Sequence, residues 1–261
     1  MNRSKMLTEQ RHQRILDLVQ LQGMVTIGHL MEEFKVSQMT IWRDLTILEQ
    51  HGKVRRVRGG VTQVEPATTS EPLYRAKRVV QKEAKGIIAQ YAARNFIKDN
   101  DIIILEAGTT VGAMIKFIDQ NNLTVITNGL GNLDDLSKLV PDISVLSCGG
   151  ILRSVAYTFV GPQAESFFQN LRAHTLFLSS TGLAFPEGIT DPNPLEIQVK
   201  RAMADSASRI VLLIDSTKFG VRSLSPIIPL GRIQTIVTDA QAPQVDVDRL
   251  REMGIDVHIA E

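Results

Sequence analysis

The stretch VSQMTIWRDLTILEQHGKVRRVRGGV, residues 36–61, decides how the N-terminal part of the chain is read. Ser37 suits a helix N-cap, because its side-chain oxygen can accept from the free amides of the first turn. From there the spacing predicts a helix to about Gln50, with Leu45 and Leu48 inward and Gln38, Thr40 and Arg43 able to face outward. Gly52 closes that helix. Two short β segments, near 53–57 and 60–64, flank Gly59-Gly60 and read as a hairpin. Lys53, Arg55, Arg56 and Arg58 make the hairpin basic.

Upstream, Ile15, Leu16, Leu18 and Val19 recur near helical period in residues 8–22, and Gly23 ends that helix. A second helix is expected from about Thr26 to Phe34, with Ile27, Leu30, Met31 and Phe34 inward. The turn Lys35-Val36-Ser37 follows. Three helices and then a basic hairpin is the order of a winged helix-turn-helix. Such a helix fits the major groove of duplex DNA and presents its N-terminal residues to base edges. The basic hairpin can neutralise phosphates or enter the minor groove. The candidate DNA-contacting residues are Ser37, Gln38, Thr40, Arg43, Lys53, Arg55, Arg56 and Arg58. A small three-helix core with a solvated basic hairpin would show the same pattern.

Charge supports a division of the chain. The 261 residues carry a net +1, but residues 1–64 hold ten Lys/Arg against six Asp/Glu, and residues 65–261 hold nineteen against twenty-two. The basic excess therefore sits at one end, as a nucleic-acid footprint would. The single cysteine, Cys148, excludes an intrachain disulfide and fits a reducing cytosol. No run approaches 18 apolar residues, and MNRSKMLTEQRHQ lacks a signal-peptide core, so a cytoplasmic protein without membrane contact is expected. The five histidines are far apart, so no metal site is expected, and no cofactor either.

Residues 65–73 begin with the polar, proline-bounded EPATTSEP and read as a linker between a 1–64 domain and a 74–261 domain. A long helix is expected from Tyr74 to Phe96. Short apolar runs follow: IIIL (102–105), TVIT (124–127), ISVL (143–146), TLFL (175–178), IVLLI (210–214) and TIVT (235–238). Helical segments lie between most of them, which indicates an α/β domain with a mainly parallel sheet. In such folds ligands sit at the C-terminal ends of the strands.

The loops at those ends are therefore the candidate site. Glu106-Ala107-Gly108-Thr109-Thr110 follows the first strand. Gly108 permits close backbone approach, and Thr109 and Thr110 offer hydroxyls and helix N-terminal amides, a suitable cradle for a phosphate. An ordinary helix start has the same pattern. Thr127-Asn128-Gly129, Gly149-Gly150, Ser180-Thr181-Gly182 and Asp215–Gly220 could converge on the same edge. Lys218 could pair with a phosphate as a point charge, or be an exposed loop lysine. Arg153 is equally ambiguous. Cys148 suits a small buried hydrophobe better than a nucleophile.

The residues also carry a resemblance. Val36, Ser37, Thr40, Ile41, Arg43, Asp44, Leu45, Leu48, Gly52, Arg56, Arg58, Gly59 and Gly60 match the N-terminal signature of the DeoR family of bacterial regulators. Trp42 departs from it, where arginine is usual; that alters operator choice, removes a phosphate contact, or packs a tryptophan on the wing. LEAGTT resembles the family's LDAGTT, with Glu106 for aspartate. ITN (126–128), GG (149–150), LFLSSTGL (176–183), EIQVKRAM (196–203) and VLLIDSTKFG (211–220) resemble further family blocks, in order. The resemblance implies a sensor domain similar to ribose-5-phosphate isomerase that binds a phosphorylated sugar. It implies phosphate on Gly108, Thr109 and Thr110, with Glu196, Lys200 and Lys218 near the sugar or its phosphate. The whole expected effector set is Glu106, Gly108, Thr109, Thr110, Asn128, Gly149, Arg153, Thr181, Gly182, Glu196, Lys200 and Lys218. The expected partners are double-stranded operator DNA, the sugar phosphate and further copies of the chain, since operator symmetry usually mirrors protein symmetry.

The rival reading is a sugar-phosphate isomerase fused to a DNA-binding module. That chemistry needs a base to remove a carbon-bound proton and an acid at the carbonyl. The stretch Ser179-Ser180-Thr181-Gly182 has no carboxylate where related isomerases carry paired aspartates. A regulator of carbohydrate metabolism, binding without turnover and acting as a repressor, is the expectation.

Overall fold

A computed structural model describes residues 8–50, 54–57, 59–63, 72–139 and 143–261. Gly52, Lys53, Arg58, the side chain of Arg55 and linker residues 65–71 lie outside what is described. The chain divides into two compact units, Met1–Pro66 and Ala67–Glu261.

The first unit runs α1 (Thr8–Gln22), β1 (Met24–Thr26), α2 (Ile27–Phe34), α3 (Gln38–Gln50), β2 (Val54–Val57) and β3 (Gly60–Gln63). Thr26 caps α2, its hydroxyl accepting from the His29 amide. Lys35 ends that helix in the left-handed region, at φ 52°. Ile15, Val19, Leu30, Ile41, Leu45, Val54 and Val61 are fully buried or nearly so and form the core. The three strands pair antiparallel in the order β1-β3-β2. Strand β1 was not expected from the sequence; three residues are too few to show alternation. Gly60 is required by that pairing, because a Cβ there would lie 2.5 Å from the Val25 carbonyl oxygen.

In the second unit the helix expected over 74–96 is two helices, α4 (Tyr74–Val79) and α5 (Lys82–Phe96). Gln81, at φ 53°, turns the chain between them. Next come β4 (Ile102–Leu105), α6 (Thr109–Gly112), β5 (Thr124–Thr127), α7 (Leu130–Leu136) and β6 (Ser144–Ser147). A ribbon of β7 (Ile151–Arg153) and β8 (Thr158–Val160) leads to α8 (Pro162–Gln169) and β9 (Ala173–Leu178). Strands β10 (Gly182–Ala184) and β11 (Gly188–Asp191) precede α9 (Pro194–Ser206) and β12 (Ala207–Leu213). The chain then continues through β13 (Ser225–Pro226), β14 (Thr235–Asp239), α10 (Gln244–Glu252) and β15 (Asp256–Ala260).

Seven strands form one sheet in the order β15-β14-β12-β9-β4-β5-β6, and every neighbouring pair is parallel. Both faces are covered, which is why the strands read as continuous apolar runs. Successive residues alternate between two cores. Ile104, Leu176, Leu178, Ile210 and Leu212 pack with Phe168 of α8, Ile197 of α9 and Leu250 of α10. Ile103, Leu105, Phe177, Val211 and Leu213 pack with Ile88 and Ala92 of α5 and Val111 of α6. Strands β10, β11 and β13 form a separate small antiparallel sheet.

Strand order fixes where the candidate site lies. From β4 the sheet grows one way through β5 and β6; from β9 it grows the other way through β12, β14 and β15. The two directions part between β4 and β9. A crevice opens at the C-terminal ends of strands where order reverses in this way.

Candidate functional site

In the first unit, α3 buries Ile41, Asp44, Leu45 and Leu48 and exposes Ser37, Gln38 and Arg43 at its start. Thr40 is half-buried, and its hydroxyl lies 3.0 Å from that of Ser37, which also accepts from the Thr40 amide at 3.4 Å. Met39 is 73% and Trp42 39% exposed, so two large apolar side chains share the outer face with Arg43. The Trp42 ring packs under the guanidinium of Arg56, 5.2 Å from its centroid. Arg56 also donates to Glu49 at 2.7 Å, so part of the expected wing charge is neutralised within the protein.

Asp44 is a structural acid. It takes a two-pronged bond from Arg11 of α1, at 2.6 and 3.0 Å, with the His12 ring 3.0 Å away. These partners come from α1, because the Asp44 side of α3 faces the core.

In the second unit, Glu106 is the first residue after β4 and Ser179 the first after β9, so both stand at the switch point. The Glu106 carboxylate accepts from the Ser179 hydroxyl at 2.8 Å and its amide at 3.3 Å. Lys200 of α9 reaches the same place. Its Nζ lies 3.2 Å from Glu106, 2.5 Å from Asp191 at the end of β11, and donates to the Ser179 carbonyl at 2.9 Å. Burial opposes this ammonium, but Asp191, Glu106 and Glu196 more than offset it and raise its pKa above the usual lysine range. Asp191 also accepts from the Thr181 amide at 2.8 Å. Glu196 pairs with Arg153.

Glu106, Thr181 and Lys200 thus meet in one network, and the Arg153–Glu196 pair lies near enough for Glu196 to act on Lys200 electrostatically. Asp191 and Ser179 join it without having been singled out in the sequence. Asp191 had one signal: it stands just before Asn193, whose side chain caps α9 by accepting from the Leu195 and Glu196 amides. Asn128 does a structural task, accepting from the Ala107 amide at 3.0 Å, and so shapes the 106–110 loop. Asn132 braces the same loop by donating to the Glu106 carbonyl at 3.1 Å. A Cβ on Gly108 would meet the Ser179 Oγ at 1.8 Å. What approaches this glycine is Ser179; the expected close approach of a ligand is not needed to explain it. A Cβ on Gly182 would lie 2.3 Å from the Val221 carbonyl oxygen. Gly149, at φ 63°, follows β6. Lys218 ends a short 3-10 turn after β12, and no carboxylate pairs with its side chain among the described residues. Burial pushes the Cys148 thiol up to about 12, which removes it as a nucleophile. Among the described residues no group of acids, histidines and cysteine is placed to hold a metal, and no helix is long and apolar enough to cross a membrane.

A winged helix-turn-helix followed in the chain by an α/β unit is the organisation of a DNA-binding transcriptional regulator with a sensor domain. Residues 11–67 match the DeoR-like helix-turn-helix domain, and residues 80–240 match the DeoR C terminal sensor domain. The chain belongs to the DeoR family. It is 33% identical over 255 residues to the HTH-type transcriptional regulator GolR of Listeria innocua, covering 97% of this chain and 98% of that one. It is 32% identical over 252 residues to the uncharacterized HTH-type transcriptional regulator YulB of Bacillus subtilis, covering 97% and 96%. A putative aga operon transcriptional repressor of Escherichia coli O157:H7 is 31% identical over 252 residues, covering 96% and 93%. Among solved structures, ribose 5 phosphate isomerase A from Neisseria gonorrhoeae superposes with a TM-score of 0.40 at 16% identity, over 55% of each chain.

Proposed function

We propose that this regulator reads duplex operator DNA with α3 and the β2–β3 hairpin, and that a phosphorylated sugar bound at the C-terminal edge of the parallel sheet changes its DNA affinity. The observation that carries the effector half is the network of Glu106, Ser179, Asp191 and Lys200 at the switch point between β4 and β9. Carboxylates accept only, and sugar hydroxyls are donors that suit them. The network with Glu196 and Arg153 holds three carboxylates against two cations, so it repels a phosphate. The phosphate belongs on the Gly108–Thr110 amides and Lys218, at the same edge.

The effector set is the twelve residues from Glu106 to Lys218 named above, with Asp191 and Ser179 added. The 1–64 and 74–261 domains, joined by 65–73, divide the two tasks. The protein works in the cytoplasm as an even-numbered homo-oligomer and represses a carbohydrate operon; the name of the aga operon relative supports that direction. The sensor binds without turnover.

A thermal-shift screen of phosphorylated sugars tests this. A ligand at ~100 times its Kd adds about 2.7 kcal/mol. Thr109→Asp puts a carboxylate at the phosphate position. The variant should bind operator as the wild type does and ignore the sugar found in the screen. An equal effector response in folded Thr109→Asp overturns the phosphate assignment.

A further inference from the structure

Met39, the second residue of α3, does nothing for the fold. It is 73% exposed and stands outside the core that Ile15, Leu30, Ile41 and Leu45 build. The buried Ile41, Asp44, Leu45 and Leu48 mark one side of the helix. At about 3.6 residues per turn, Met39 lies opposite the middle of that side. A single exposed apolar residue is ordinary on a protein surface. This one sits at the centre of the outer face, in the first turn of the helix whose N-terminal residues meet base edges.

Its neighbours are occupied within the protein. The hydroxyls of Ser37 and Thr40 meet each other at 3.0 Å. Thr46 donates its hydroxyl to the Trp42 carbonyl of its own helix at 2.8 Å. The Trp42 ring lies under Arg56, and Asp44 points inward to Arg11. Gln38 and Arg43 are the exposed polar groups left on this face among the described residues, and Met39 stands between them around the helix.

The chemistry of the major groove narrows what such a side chain can recognise. Base edges there present ring nitrogens and carbonyl oxygens as acceptors, exocyclic amines as donors, and one apolar group, the 5-methyl of thymine. Methionine has no donor, and its sulfur is a weak acceptor. Set against a donor or an acceptor, it would strip water from that group and return no hydrogen bond. Set against the thymine methyl, it buries apolar surface on both sides and leaves nothing unpaired. Its unbranched, polarizable thioether can follow the methyl through small differences in docking.

We propose that Met39 is a specificity-determining residue that reads the 5-methyl group of a thymine in the operator's major groove. This rests on α3 being the helix that enters the groove. Met39 and Arg43 stand four residues apart on one face, so their Cβ atoms lie about 5–6 Å from each other. Bases along a strand are spaced by about 3.4 Å. The thymine therefore lies within about two base pairs of the base that Arg43 contacts.

The test uses duplexes selected by the full chain from a random-sequence library. Each thymine of the selected duplex is replaced in turn by deoxyuridine, which lacks only the methyl. At one position in each half-site the wild type should lose about fourfold in affinity, the worth of one buried methyl-sized group. Met39→Ala should bind the unmodified duplex about fourfold more weakly and lose nothing further at that position. Met39→Leu, which keeps an apolar end, should keep the deoxyuridine penalty. Should circular dichroism show the alanine variant misfolded, Met39→Gln takes its place. No thymine with a methyl effect, or the full penalty in folded Met39→Ala, overturns the proposal. So does a smaller oligomer for Met39→Ala in sedimentation with the penalty intact, which would give this face to a second copy of the chain. Arg43→Ala separates the wider reading. If it changes base preference while no methyl effect appears, α3 is in the groove and only the Met39 assignment falls. If neither variant alters affinity or preference, α3 is not the reading helix.

Discussion

Two buried ion clusters invite comparison, one in each unit. Asp44 of the helix-turn-helix is gripped by Arg11, with His12 beside it, in the interior of a small core. It ties α1 to α3 and so sets the recognition helix on its support. Lys200 of the sensor is also buried, between Glu106 and Asp191, but beside the C-terminal ends of the parallel strands and with loop groups around it. The first cluster is closed by its own geometry: a guanidinium fork satisfies a carboxylate from both sides. The second combines more carboxylates than cations and hydroxyl-bearing loops, the composition on which the proposed effector site rests. Burial is common to both clusters; their positions in the fold differ.

The comparison breaks most visibly at Lys200. Lys200→Met leaves Asp191 and Glu106 buried without their counter-charge, and should cost about 3–5 kcal/mol in urea unfolding. Effector response should vanish with it. A loss below ~1 kcal/mol would show the network to be solvated and not buried as described.

Asp44→Ala removes the buried carboxylate that takes the two-pronged bond from Arg11 and should cost about 3 kcal/mol. The loss should fall on the DNA-binding unit. Operator binding should fail while the thermal response to the sugar phosphate survives. If both responses fail together, the two units do not unfold separately.

Arg43 sharpens the contrast from the exposed side. Arg43→Ala should leave stability within ~0.5 kcal/mol, as surface changes usually do. It should cost about 1–3 kcal/mol in operator affinity if the side chain reads a base. Wild-type affinity and unchanged base preferences would remove it from the interface.

The pH dependence of Lys85 is a gentler test. Burial puts its pKa near 8 when folded, against 10.5 when unfolded. Between those values the unfolded chain binds more protons, so this group makes the protein more stable as pH rises from about 8 to 10.5. Lys200, with its pKa raised, contributes fully below 10.5 and does not oppose that trend in the window. Lys85→Met should flatten the rise in urea midpoint. An identical slope in the variant would refute the burial assigned to Lys85.

The smallest effect concerns Trp42, the single tryptophan of the chain. It stands on the outer face of α3 under Arg56. Its fluorescence should change on operator binding, and Trp42→Arg should shift base preference by less than the Arg43 change does. Emission unaltered by DNA would place Trp42 outside the interface.

Much of this was legible in the sequence, for local reasons. Helix α1 and strands β4 and β5 end where periodicity and apolar runs predict, because a strand covered on both faces shows as a block such as IIIL. The exposed start of α3 follows from its period. Strands β7, β8, β10, β11, β13 and β15 did not show; they are short or only partly apolar, and their pairing depends on distant partners. The break at Gln81 was likewise invisible, since Val80-Gln81 carries no glycine or proline.

What the sequence determined by itself was the composition of the candidate site: loops of Gly, Thr, Asn and Lys at the ends of apolar runs, and the block containing Glu196 and Lys200. What only the tertiary structure decided was who meets whom. Parallel pairing puts every strand's C-terminal end on one edge, and the reversal between β4 and β9 brings Glu106 to Ser179 across 73 residues. Asp191 reaches Lys200 because β11 folds back against α9. Those distances arise from long-range closure of the sheet, and periodicity along a chain carries no record of which strand lies beside which.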